Sequence, residues 1–251
     1  MGVLSKARLA ARKVGLEILR RDFRSSYELR LVAILEKFNI KFVLDVGAND
    51  GGFASSILDE NYRGRILSVE PLPDAWQRLK FRAEARGGAW QIAERQALTD
   101  TIGAIEIGES ENSVSSSILP VLESHVKAEP KTKQYKTHLV ATSTVDQILK
   151  EQNINEPIYL KIDVQGAEMS VLHGSRYSLD KLASVVQLEL SLLPLYEGQK
   201  VHTDIIDYMD DCGFILFDIL PGFRDPNSFR LQQYDGIFVK RDLLVDVDRS
   251  R

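Results

Sequence analysis

Apolar residues along the chain alternate between two spacings, and the changes of spacing mark the elements. Leu4, Ala7, Ala11, Val14 and Ile18 recur at the period of one helix face. Leu29, Leu31, Val32, Ile34 and Leu35 predict a second helix over about 27–38. From Phe42 onward, short apolar runs alternate with helical stretches. Runs at 42–44, 65–69, about 90–97, 157–162, 185–190, 214–217 and 236–239 predict seven strands. Helical patterns separate most of them, at about 52–60, 74–86, from about 166, and 203–211. Strands alternating with helices require right-handed crossovers, which give a mostly parallel sheet covered on both faces. The last two strands have no helix between them, so they are expected to form an antiparallel pair at one edge.

Residues about 101–143 break this rhythm, being rich in Ser, Thr, Glu and Lys. Thr137 to Thr142 alternates like an edge strand, and Thr144-Val145-Asp146-Gln147 resembles a capping box. The expected organisation is one α/β catalytic domain over 41–251, with the insertion at about 101–143, preceded by a helical extension over 1–40. Loops at 193–198 and 220–226 and the insertion are where acceptor specificity is expected.

Composition narrows the function classes. The 251 residues carry a net charge of -4, so no global field attracts polyanions and nucleic acid is not expected as a partner. The single cysteine, Cys212, excludes an internal disulfide and points to a reducing, cytoplasmic setting. No apolar run has the length of a membrane span, and no secretory signal is expected. The charge is unevenly placed: residues 1–24 hold seven basic and two acidic residues, net +5, leaving -9 for the remainder. This basic amphipathic segment either packs on the domain with a solvated face or makes a peripheral contact with anionic lipid or an acidic carrier.

The first strand delivers Asp45-Val46-Gly47-Ala48-Asn49-Asp50-Gly51-Gly52 to the carboxyl edge of the sheet, where ligands of doubly wound folds bind. Glu70-Pro71 stands at the end of the second strand, about twenty residues later, where an acid can bind ribose hydroxyls. A dinucleotide favours G-x-G-x-x-G and a helix start free of negative charge. Here the spacing is G-x-x-x-G, and Asp45 and Asp50 flank the turn. One charge pair at about 4 Å is worth roughly 4 kcal/mol at an effective dielectric near 20, before desolvation. The sign of the loop therefore favours cationic S-adenosylmethionine over NAD, with an ordinary strand-to-helix turn as the remaining account.

Four motifs in order, Asp45–Gly51, Glu70-Pro71, Ala97-Leu98-Thr99-Asp100 and Leu160-Lys161-Ile162-Asp163-Val164-Gln165-Gly166-Ala167-Glu168, resemble those of the FkbM-type methyltransferases. The resemblance spans about 41–240. It implies a class I, Rossmann-like methyltransferase fold that uses S-adenosyl-L-methionine and acts mostly on hydroxyls, often of sugars or polyketides. By motif, Gly47, Asn49 and Gly51, with Asp45 and Ala48, would shape the loop around the amino-acid part of the cofactor. Glu70, with Pro71, would hold the ribose, and Asp100 would lie near the adenine amino group. Gln165 departs from the family, which commonly has Glu there.

Asp163 falls at the end of the fourth strand and is the first choice to orient or deprotonate the acceptor, or to contact the cofactor; Glu189, ending the fifth strand, is the second. These two acids are also the candidates for a divalent cation, although strand-end carboxylate pairs arise without metal and no metal is assigned. His125, His138, His173 and His202 form no close ligand pair. The Asn/Asp-Pro-Pro-aromatic run of base-methylating enzymes is absent. Lys161 is expected to pack its stem or pair with an acid, Glu168 to favour a helix dipole, and His173 to sit at a helix end. Trp76, Trp90, Tyr196 and Phe223 are expected chiefly in the core. The expected activity is O-methylation of a sugar hydroxyl in a glycolipid, polysaccharide or glycosylated metabolite. The alternatives are O-methylation of a non-sugar metabolite such as a polyketide, or a module that binds the cofactor without turnover.

Overall fold

The computed structural model describes residues 3–244, except the side chains of Val3, Leu4 and Lys6. Seven strands form one sheet: β1 (Phe42–Val46), β2 (Arg65–Val69), β3 (Trp90–Ile92), β7 (Ile158–Ile162), β8 (Ala183–Ser191), β9 (Phe214–Pro221) and β10 (Gln233–Lys240). Their order is β3-β2-β1-β7-β8-β10-β9. β1 pairs in parallel with both β2 and β7, so Asp45 stands beside Ser68 on one side and Lys161 on the other. β10 enters antiparallel between β8 and β9, which makes the expected antiparallel pair and seats Asp235 opposite Glu189. β1 and β7 are buried along their whole length, as central strands covered on both faces must be.

Helices α2 (Tyr27–Lys37), α3 (Gly52–Asp59) and α4 (Pro73–Glu84) cover one face, with Leu31, Leu35, Ile57 and Leu79 packed on Val43, Ile66 and Tyr159. Helices α6 (Val145–Glu151), α7 (Glu168–His173), α8 (Arg176–Lys181) and α9 (His202–Asp211) cover the other. Ser26 starts α2 by accepting the Leu29 N–H, and Thr144 starts α6 by accepting the Gln147 N–H at 3.1 Å. The expected extension 1–40 therefore divides, because α2 belongs to the core. None of the described side chains of helix α1 (Val3–Lys13) is buried. It stops before the expected Ile18, because left-handed Gly15 (φ 77°) lets the Leu16 N–H return to the Ala11 carbonyl at 2.9 Å.

Two other expectations change. The run at about 90–97 is not one strand. It divides into β3 and β4 (Ala97–Leu98), and β4 leaves the main sheet. The insertion builds a second sheet in the order β4-β6-β5, from β5 (Gly103–Ser110) and β6 (Gln134–Ser143), with α5 (Glu123–Ala128) between. The 137–142 segment is thus central in its sheet and not at an edge. Leu139 points outward and is 72% exposed, which is why the alternation read as an edge. No helix among the described residues is long and apolar enough to cross a membrane.

Candidate active site

The turn after β1 is shaped by what it must pass. Gly47 has φ 76°, and a Cβ there would sit 1.9 Å from the Asp163 carbonyl oxygen. The two strand ends thus touch through backbone, and the Asp163 N–H donates to the Val46 carbonyl at 3.1 Å. Gly51, also left-handed, starts α3 against Trp90 and Leu79, so it serves packing and faces away from the cleft. Asn49 donates its N–H to Glu70 Oε2 at 2.8 Å, and Leu72 donates its N–H to Glu70 Oε1 at 2.8 Å. Burial outweighs these two bonds and pushes the Glu70 carboxyl up to about 7.

Above this turn lies a cleft. Gly47, Asn49, Glu70, Pro71, Asp163 and Gln165 supply its polar or loop wall, and Val69, Leu72, Leu98, Ile107 and Ile118 its apolar wall. The roof is Ser113, Val114 and Ser116 of the insertion, with the Asn49 side chain 3.2 Å from Ser113 Oγ. This roof was not expected in residue detail; its signal was only the Ser-rich insertion.

The sequence-expected residues divide into those at the cleft and those behind it. Gly47, Asn49, Glu70, Pro71 and Asp163 line it. Asp45, Ala48, Gly51, Asp100 and Glu189 do not. Asp45 is fully buried beneath the turn, where it accepts from Ser68 Oγ at 3.0 Å and faces the Lys161 ammonium at 3.5 Å. Asp50 turns outward to Arg82 at 2.9 Å. The pair expected to make the loop anionic is therefore neutralised by partners, and the acidic side chains that line the cleft are Glu70 and Asp163. Asp100 is exposed and bonded to Ser170, because the chain turns into the small sheet at β4; Gln96, Ala97 and Leu98 line the cleft instead.

A row of polar side chains crosses the sheet behind the cleft. Trp90 Nε1 donates to Ser68 Oγ at 3.0 Å, and Ser68 donates to Asp45. Lys161 joins Asp45 to Asp163, 3.3 Å from Asp163 Oδ2, and its nearby acids hold the ammonium charged despite burial. Gln165 Nε2 then donates to Asp163 Oδ1 at 2.9 Å and to Glu189 Oε2 at 2.7 Å. Gln233 Nε2 completes the row with a bond to the same Glu189 oxygen at 2.6 Å. Gln165 is left-handed (φ 55°) and pinned: its carbonyl accepts from Ser117 Oγ at 2.7 Å, and Tyr196 Oη lies 3.1 Å from its Oε1. Its amide nitrogen thus lies between the two acids and bonds to both.

Burial and the charges of Asp163, Glu168 and Asp235 raise Glu189 well above the carboxylate range, so it holds a proton more readily than an ordinary Glu. Asp235, opposite it, is raised to about 6 by burial and by Asp163; the sequence reading missed this acid. Glu168 stands in the first turn of α7, as expected, but is buried, and it accepts the N–H groups of Val164 and Gly166, bracing the Asp163 turn. Trp76 and Trp90 bond to Ala93 O and Ser68 within the fold, and Phe223 packs on His125. The four histidines are dispersed, and no group of three metal-binding side chains occurs among the described residues.

Comparison with known proteins agrees with this arrangement. The chain matches the methyltransferase FkbM domain over residues 45–216, well over half its length. It is 27% identical over 194 residues to the 2-O-methyltransferase NoeI of Sinorhizobium fredii, covering 72% of this chain and 75% of NoeI. A solved methyltransferase FkbM from Methylobacillus flagellatus shares the fold at TM-score 0.51 and 16% identity, over 88% of this chain and 48% of that one. The family match runs from Asp45, at the end of β1, through the cleft motifs into β9, and the chain belongs to the FkbM methyltransferase family.

Proposed function

We propose that the protein transfers a methyl group from S-adenosylmethionine to a hydroxyl of a sugar-containing acceptor. The observation that carries this is the cleft itself. A carboxylate that meets ribose hydroxyls (Glu70), an apolar slot for a purine (Leu72, Leu98, Ile107, Ile118) and a second carboxylate (Asp163) beside the β1 turn converge on one space. These residues fit a cationic nucleoside derivative, and Glu70 and Asp163 offer no complement to a pyrophosphate. When bound, S-adenosylmethionine supplies a methyl on a sulfonium, an electrophile with a good leaving group.

The chain's own contribution is placement and proton handling. Asp163 is fixed on both oxygens, by Lys161 and by Gln165, so its carboxylate has one orientation toward the cleft. Alignment of the acceptor oxygen is the largest part of catalysis for such a displacement. Asp163 orients the acceptor hydroxyl and takes its proton, a role worth about 10²–10⁴-fold. Glu189 acts through Gln165 as a support for Asp163 instead of touching the acceptor. Hydroxyl chemistry is supported by the name of the NoeI relative; the sugar is supported by the family resemblance of the motifs.

Radiolabelled S-adenosylmethionine, offered with glycolipids, oligosaccharides and polyketides in parallel, tests the proposal. Label in an alkali-stable ether on a sugar is the expected result. Label on a polyketide hydroxyl overturns the acceptor class, and tight cofactor binding without transfer to any acceptor points to a binding module.

A further inference from the structure

The first 24 residues carry +5 while the rest of the chain carries -9. In the fold residues 3–24 form α1, a left-handed stop at Gly15 and an irregular stretch that joins α2. None of their described side chains is buried. Five apolar residues crowd the stretch in solvent: Val14 is 72% exposed, Leu16 64%, Ile18 40%, Leu19 60% and Phe23 54%. Arg8, Arg12, Lys13, Arg20, Arg21 and Arg24 are interleaved with them. A helix of 11 residues with no described side chain buried is marginal in water, because packing supplies most helix stability. Among the described side chains the domain meets the segment through the Arg21–Glu60 ion pair and buries none of its apolar residues.

We propose that residues 1–24 dock on an anionic lipid surface. Alternating apolar and cationic side chains fit an interface where aliphatic groups enter the acyl boundary and cations remain at headgroup phosphates. Nucleic acid satisfies the cations but leaves the five apolar side chains in water. The opposite charge of the body is repelled by the same surface, so attraction is confined to this segment and fixes which side of the molecule faces the membrane. The inference stands independently of the methyl acceptor.

Co-sedimentation of the full chain with sucrose-loaded vesicles tests it. Phosphatidylcholine vesicles with phosphatidylglycerol should pellet the protein, and the effect should fade as salt rises. Pure phosphatidylcholine should pellet much less. Lys13→Gln with Arg20→Gln should lower partitioning about fivefold per charge removed. Leu16→Ser, Leu19→Ser and Phe23→Ser together should lower it by about tenfold or more. Because these side chains are exposed, all variants should melt with the wild type, which excludes unfolding as the cause. No pelleting with anionic vesicles at low salt overturns the proposal. So does equal binding to neutral vesicles, or binding to an oligonucleotide but not to vesicles.

Discussion

Gln165→Glu probes the arrangement around Asp163 most directly. The amide nitrogen lies 2.9 Å from Asp163 Oδ1 and 2.7 Å from Glu189 Oε2. Replacing it with oxygen removes two bonds to acidic groups, worth about 1.5–3 kcal/mol each. If the new carboxyl ionises it meets like charge at about 3 Å, a repulsion of roughly 5 kcal/mol at an effective dielectric near 20. It escapes by keeping a proton, which costs about 1.4 kcal/mol per pH unit above its ordinary value. The new group's folded-state pKa is therefore raised. Its penalty is small below the unfolded value near 4.5 and grows as pH rises toward the folded value. The protonated side chain keeps one donor, so one of the two bonds is lost at any pH. We expect a loss of about 6–8 kcal/mol near pH 8 and about 2–4 kcal/mol near pH 5. For a chain of this size, the larger loss lowers the melting temperature by roughly 20 °C. Thermal unfolding of both proteins across that pH range, with and without Mg²⁺, measures it. Mg²⁺ should recover stability in the variant alone, since three clustered carboxylates are a cation's ligand set. Turnover should fall with the displaced Asp163. A melting difference that does not change with pH refutes the bridging role of the amide.

Three further outcomes are expected. Gly47→Ala places its Cβ 1.9 Å from the Asp163 carbonyl at φ 76°, so it should cost more than the about 1–3 kcal/mol of ordinary overpacking, read as lost soluble yield or a large fall in melting temperature; a melt within error of wild type contradicts the packed strand ends. Glu70, held near 7 against an ordinary 4.5, contributes stability that is complete below 4.5 and lost as pH rises through 7. S-adenosylmethionine should conversely bind more tightly as pH passes 7 and the carboxylate ionises, and calorimetry of Glu70→Gln should show that dependence flattened. Lys161→Met leaves Asp45 buried without its cation and should cost about 3–5 kcal/mol; adding Asp45→Asn should return much of it, and a strictly additive double variant counts against the pairing.

Much of the frame was legible because period and turn chemistry are local. Six of the seven expected strands stand near their expected positions, and the Gly47 turn and Glu70 meet where the strand-end rule places them. What failed required non-local information. Asp45 and Asp50 looked like a bare anionic pair because Lys161 and Arg82 reach them only through the tertiary fold. Asp100 missed the cleft because two residues, Ala97 and Leu98, chose the small sheet over the large one. Gln165 stood out as a departure from a motif, yet its work depends on Glu189, Tyr196 and Ser117, each far along the chain. Thr144 caps its helix as the motif suggests, whereas the Gln147 side chain turns to Glu151 and not back to the Thr144 N–H.

The row from Trp90 to Gln233 ties six strands of the sheet into one electrostatic unit. Protonation anywhere along such a unit is shared, so inflections in a rate profile belong to the ensemble of acids and not to a named side chain. Asp163, proposed above to take the acceptor's proton, is in this sense tuned from strands on both sides of its own. A change as remote as Gln233, on β10, would shift the working pH of the enzyme while every surface the acceptor touches stayed the same.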